Sequence, residues 1–312
     1  MEIIISYLIT NYNLMKQHWY NHGALKDKGK VGTDKPIGKD VDLGGLLVKF
    51  DWGKKRVIST KKIACPSGFD FKNHLIYVNS MRENTIYVLD FDFNAYRRID
   101  NQYFNDLHSL NSTNRGTIVT STGLDTILEV DDAGKILFDW WAIDNGFDRD
   151  QYGNQRIINR SIDHTNIDYP TLLQTTHINS AIYMDNNEED ILASLFHQGK
   201  ILKIDAKTKK ACVLLDDLTN PHSIYSLNNG EYIISDTQGH RIILFDIHGQ
   251  IIKELKGDFN WIQDSIRLSN GNFLVADSNN HKILEIDSSG KIMDSHNYSK
   301  NWKIYQIKEV KT

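Results

Sequence analysis

The chain has 312 residues, 40% of them hydrophobic and 24% charged, which supports a substantial core and excludes a disordered chain. Its formal net charge of −4 lacks the basic surplus of a dedicated nucleic-acid binder. No apolar run approaches the roughly 18–20 residues that span a bilayer, so neither nucleic acid nor membrane is expected as a partner.

The chain opens on MEIIISYLIT, where Glu2 replaces the basic region of a secretory leader and no small-residue cleavage site follows. This reads as a β-strand. The two cysteines, Cys65 and Cys212, are too few for a disulfide framework and point to a reducing cytoplasm. Further along, a short apolar strand ending in Asp recurs: LVKFD to Asp51, IYVLD to Asp90, ILEVD to Asp131, ILKID to Asp205, IILFD to Asp246 and ILEID to Asp287. The intervals are 39, 41, 74, 41 and 41 residues, the long one holding an insertion of 33. Most of these strands are followed by a turn and another strand, such as IHGQIIKEL or SSGKIMDSH. They are preceded by one such as GEYIISD (230–236), and that in turn by one such as PHSIYSL (221–227).

Four antiparallel strands in about forty residues make a β-propeller blade. The expected fold is all-β, a six-bladed β-propeller forming a single domain over 1–312. Five blades are complete. The sixth is closed by N- and C-terminal strands: 302–310 supplies the inner strand, and 2–8, 44–51 and 55–61 the other three. Radial closure leaves few strand edges open. Two segments lie outside the repeat, 9–42 and 143–173. They interrupt connections that open onto one propeller face, so both are expected as lid segments over one channel mouth. The second carries Arg156, Arg160 and His164 among its polar residues.

Inner strands begin beside the channel on that face. His108 and His222 each lie eight residues before a turn glycine, Gly116 and Gly230, and His177 stands at the matching strand start with one or two residues of slack. The same count lands on Gln263 in the next blade, with Asp264 one step away, and near Tyr305 in the closing blade. Three imidazoles on adjacent strands suit a divalent metal ion, with Zn, Fe or Mn the fitting identities. The same three are the candidate catalytic residues. Gln263, Asp264, His197, Arg156, Arg160, His164 and Tyr305 are the candidate substrate-binding set. His240 and His281 occupy matching turns and read as part of the repeat, while tryptophans 140, 141, 261 and 302 read as packing between blades. His18 and His22 fall on the first insertion, and Cys65 just precedes an inner strand. No phosphate-cradling Gly loop, HExxH, CxxC or GxSxG is present.

Three phrases carry a resemblance: HINSAIYMDNNEEDILAS (177–194), NPHSIYSLNNGEYIISD (220–236) and WIQDSIRLSNGNFLVADSNNHKILEID (261–287). They resemble the arylsulfotransferase-like propellers over roughly 105–295, and SNNHKI also looks like an NHL repeat. The resemblance implies channel histidines, one of which takes up a sulfuryl group, with His177 and His222 matching by motif and His108 as a third. Where that family carries an arginine after the strand serine, this chain has Ser194-Leu195-Phe196-His197. NHL-like lyases imply instead a metal held by channel histidines.

Three functions follow. The first is a cytoplasmic lyase or hydrolase acting on a small polar organic substrate at a metal site. The second is metal-free sulfuryl transfer through a histidine. The third is a non-catalytic binding propeller. The oligomeric state is open.

Overall fold

The Asp that ends each third strand has a physical reason to recur. Asp90 accepts backbone N–H bonds from Asp92 and Asn94 at 2.9 and 2.8 Å, and Asp131 from Ala133 and Lys135 at 2.9 Å each. Asp246 does the same with His248 and Gln250 at 2.9 and 2.8 Å, and Asp287 with Ser289 and Lys291 at 2.8 and 3.1 Å. Each carboxylate caps a turn before the outer strand and fixes where that strand starts. The Asn94 side-chain amide at Asp90 and the Ser289 hydroxyl at Asp287, together with the backbone N–H donors, hold these carboxyls below the ordinary carboxylate range.

The computed structural model describes residues 1–22, 31–184, 188–227 and 229–310. In it the repeats form six four-stranded antiparallel sheets arranged as a six-bladed β-propeller. Five sheets run in chain order, with inner strands at Pro66–Lys72, Leu107–Ser112, Ile178–Tyr183, Pro221–Ser226 and Ile262–Arg267. We number these blades two to six. The closing blade runs Lys303–Glu309, Glu2–Ile9, Leu46–Asp51 and Arg56–Lys62, with Ile5 opposite both Ile307 and Val48.

Second strands such as Thr117–Ser121 are buried on both faces, whereas outer strands such as Arg56–Lys62 face solvent. The core is accordingly divided among the six seams. Ile118, Ile127 and Trp140 of blade three meet Ile178, Ala181 and Ile191 of blade four. Ile5, Val48 and Ile307 of the closing blade meet Leu274 and Ile283 of blade six. Each blade alone would expose an apolar face to water, so the seams close together.

The two insertions meet above one mouth. The first carries a helix, Tyr12–Asn21, and the second short turns at Ala142–Asn145 and Thr171–Leu173. Leu172 N donates to Thr33 O at 3.2 Å and Lys39 Nζ to Thr165 O at 2.9 Å, joining them. Arg82 of blade two ties down the first insertion through the carbonyls of Ile37, Gly38 and Val41. Residues 23–30 of that insertion lie outside the described residues. Among the described residues no helix is long and apolar enough to cross a membrane.

Candidate functional site

Five inner strands are entered through one backbone conformation. Cys65, Asp106, His177, Asn220 and Trp261 immediately precede them, all with φ between 48° and 76°. Asp, Asn and His tolerate this left-handed region better than other non-glycine residues. The position lies at the channel mouth, and Cys65, Asp106, His177 and Trp261 all line a cavity of about 620 Å³. Two residues on, His108, His222 and Gln263 occupy the second place of their strands and line it too. The roof comes from both insertions, through residues such as Tyr12, Trp19, Tyr169 and Thr171.

The histidine register differs from the glycine count. Ile178 pairs with Leu195 as Leu107 pairs with Ser121 and Pro221 with Asp236. His177 therefore shares its position with Asp106, two residues before the place held by His108 and His222. The rings still converge, His108 on His177 at 4.7 Å between centroids and edge to face. One ligand atom from each of Asp106, His108 and His177 lies within 4.8 Å of the other two. His222 is not in this group. Phe196 stands between, 4.9 Å from the His177 ring and 5.3 Å from that of His222.

Each imidazole is anchored through Nδ1 to an oxygen that can only accept. His108 Nδ1 donates to Asp106 O at 2.8 Å, His177 Nδ1 to Gln174 Oε1, and His222 Nδ1 faces Asn220 O at 3.1 Å and, at 2.8 Å, Thr237 Oγ1, whose own proton goes to Ile262 O. The proton is thus fixed on Nδ1 and the lone pair on Nε2, the arrangement in which a histidine serves as ligand or nucleophile. Burial pushes the His177 pKa well below its ordinary value, with the His108 imidazole adding to it, and lowers that of His222 to about 3. Both rings are neutral at physiological pH.

A buried carboxylate clamps the second insertion to this turn. Asp125 accepts from the backbone N–H of Thr175, Thr176 and His177 at 2.8, 2.8 and 2.7 Å and pairs with Arg156. Gln174 adds a cross-link, its Nε2 donating to Asp106 Oδ2 at 3.3 Å while its Oε1 holds His177.

The sequence candidates divide by placement. His108, His177, His222, Gln263 and Tyr305 line the cavity, the Tyr305 ring 5.9 Å from that of His108. Gln263 Oε1 accepts from Trp261 Nε1 at 2.9 Å. The His197 ring lies 5.5 Å from that of His177, tilted to it, and bonds Thr171 O at 3.0 Å, behind the lining. Arg156 reaches Asp125 and Gly123 O, and Arg160 pairs with Asp144 at the surface. His164 is fully buried between Tyr169 Oη and Asn159 O, each at 2.9 Å, inside the second insertion. Asp264 lies deeper, accepting from Ile307 N at 2.7 Å and Tyr225 Oη at 3.2 Å, with burial raising its pKa to about 7. None of His197, Arg156, Arg160, His164 and Asp264 is among the cavity-lining residues.

No family model and no curated protein matches the chain. Solved structures do. The nidogen–laminin complex aligns over 98% of this chain and 97% of its own at 12% identity and a TM-score of 0.63. A protein of unknown function from Bacteroides caccae aligns over 84% and 93% at 16% identity and 0.59. Virginiamycin B lyase from Staphylococcus aureus aligns over 74% and 69% at 14% identity and 0.52. These similarities establish the propeller fold. They do not single out the arylsulfotransferase-like group.

Among the cavity residues that sequence reasoning did not assign to the site are Asp106, Trp261 and Lys303. Asp106 stands two places before His108, where the strand-entry position shared by the blades could have revealed it. Trp261, expected in packing, is a cavity wall, and Lys303 was expected only as part of the closing blade's inner strand.

Proposed function

We propose that the protein is an enzyme acting on a small polar organic molecule in the roofed cavity, through a divalent metal site of Asp106, His108 and His177. The observation that carries this reading is the convergence of those three ligand atoms within 4.8 Å beneath the two insertions. The donor set is chemically apt, since two Nδ1-anchored imidazoles and one carboxylate suit Zn, Fe or Mn. A metal held there would polarise a substrate oxygen or make bound water more acidic, chemistry of the lyase or hydrolase type. Gln263 is placed to orient the substrate, and Tyr305 and Phe196 to exclude water around it. Virginiamycin B lyase is by its name an enzyme for a small molecule, and its fold is similar. The six blades and two insertions act in this reading as one domain, and the free thiols of Cys65 and Cys212 suit the cytoplasm.

Metal analysis of protein purified without a histidine tag tests the reading. About one bound metal per chain is expected, lost when His108 and His177 are both changed to alanine. Full retention of metal in that double variant would rule the site out.

One observation favours a second reading, sulfuryl transfer as in the arylsulfotransferase-like propellers. His222 presents a neutral ring with Nδ1 fixed, the form a nucleophilic imidazole requires. Incubation with 4-nitrophenyl sulfate and a phenol should then release nitrophenol, and His222→Ala should abolish the release.

A further inference from the structure

Lys303, the first residue of the closing blade's inner strand, is 9% exposed and lines the same cavity. Its Nζ donates to Asn279 Oδ1 at 3.1 Å and lies 5.1 Å from the centroid of the Trp261 ring and 5.4 Å from that of Tyr12. All three neighbours also line the cavity. Among the described residues no carboxylate forms an ion pair with it, although fifteen other Lys or Arg pairs there bring opposite charges within 4.0 Å. A buried ammonium with one amide partner is costly unless an anion completes it. Desolvation lowers its pKa to about 7, although the Asp277 carboxylate, not in contact with it, favours the charged form.

We propose that Lys303 receives the carboxylate of the cavity's ligand, whose aromatic or apolar body lies against Trp261, Tyr12 and Tyr305. This names the substrate class for the cavity and rests on the cavity being the ligand site, but not on the metal. Lys303 is the one buried cation among the described lining residues, and with its aromatic flanks it matches a monoanion, because a second negative charge there would lack a buried partner. Lys35, Lys39 and Arg82 also line the cavity, but Lys35 and Lys39 are exposed on the first insertion and Arg82 is only partly buried. Arg82 is bonded to three backbone carbonyls of the first insertion, and Lys39 to Thr165 O. Asp106 would repel a carboxylate, which favours the Lys303 side for the charged end and leaves the neutral end facing His108 and His177.

Calorimetric titration tests this with the series from benzoate to 4-phenylbutyrate, each acid compared with its primary amide. At least one acid should bind the parent protein roughly tenfold or more tightly than its amide, the size of one charge-assisted hydrogen bond. Lys303→Met should erase that preference while leaving the amide affinity unchanged. Binding at pH 7 should take up about half a proton, read from two buffers of different ionisation enthalpy, because the anion reprotonates the amine. Equal affinities for acid and amide, no binding by any acid, or a preference surviving in Lys303→Met overturns the proposal. His108→Ala separates the two readings. It should lose metal and keep the acid preference, whereas loss of the preference there and not in Lys303→Met would assign the carboxylate to the metal.

Discussion

Lys303, His177 and His222 each hold a proton less firmly in the folded chain than in the unfolded one. For Lys303 the unfolded state is the better proton binder between about pH 7 and its ordinary value of 10.5, so stability rises with pH across that interval. Lys303→Met should therefore be more stable than the parent at pH 6, by on the order of 3 kcal/mol, and the margin should vanish near pH 10. Urea melts at the two pH values check this. For the histidines the unfolded chain binds protons from 6.5 downward while the buried rings resist, His222 to about 3. Stability is therefore intact above pH 6.5 and falls as pH drops through that window. His222→Asn should flatten the decline between pH 6.5 and 4 in thermal melts. The residues best read from sequence were those with a repeated address, His108, His222 and Gln263. Asp106 was missed although it stands at the repeated strand-entry address, whereas Lys303 was illegible because its significance comes from neighbours distant in the chain. Trp261, Tyr12 and Asn279 surround one lysine, yet lie 42, 291 and 24 positions from it.

Among the bonds that hold the second insertion, the most deeply buried charged one is the Asp125 clamp. Asp125 occupies the left-handed turn between the second and third strands of blade three, matched by Asn84, His240 and His281 in other blades. In those blades the position needs only a tolerant residue, which accounts for the recurrence of His240 and His281. In blade three the aspartate is fully buried and binds three consecutive N–H groups leading into His177, with Arg156 as counter-charge. Removing the guanidinium leaves a buried carboxylate short of its partner, so Arg156→Met should cost about 3 kcal/mol in chemical denaturation. It should also weaken metal binding, because the His177 turn loses its fixed backing. The insertions were visible as breaks in the repeat, and their meeting over one mouth followed from propeller connectivity. Their internal wiring was not visible. Arg156 and His164 looked like ligand contacts in a polar lid, whereas they pair with Asp125 and Tyr169 within the scaffold.

At the scale of the ring, six apolar seams depend on the closing blade, where Ile307 packs with Ile5 and Leu274. Deleting 303–310 exposes the inner edge of Glu2–Ile9 and two seams at once. The truncated chain should lose cooperative unfolding and gain binding of a hydrophobic dye, measured beside the full chain. The ring was the most legible level, since the turn aspartates recur six times and three of the five intervals between them are 41 residues. The cavity was less so, because it exists only where six strand starts converge.

That closure also orders events in time. Strands Glu2–Ile9 and Lys303–Glu309 lie side by side in one sheet but stand at opposite ends of the described chain. Lys303 and Tyr305, two walls of the cavity, leave the ribosome after every histidine of the site. A nascent chain that already contains Asp106, His108 and His177 thus still lacks the basic residue and one aromatic wall of the cavity. On the proposed reading, a ligand would be recognised only after the last strand has paired with the first.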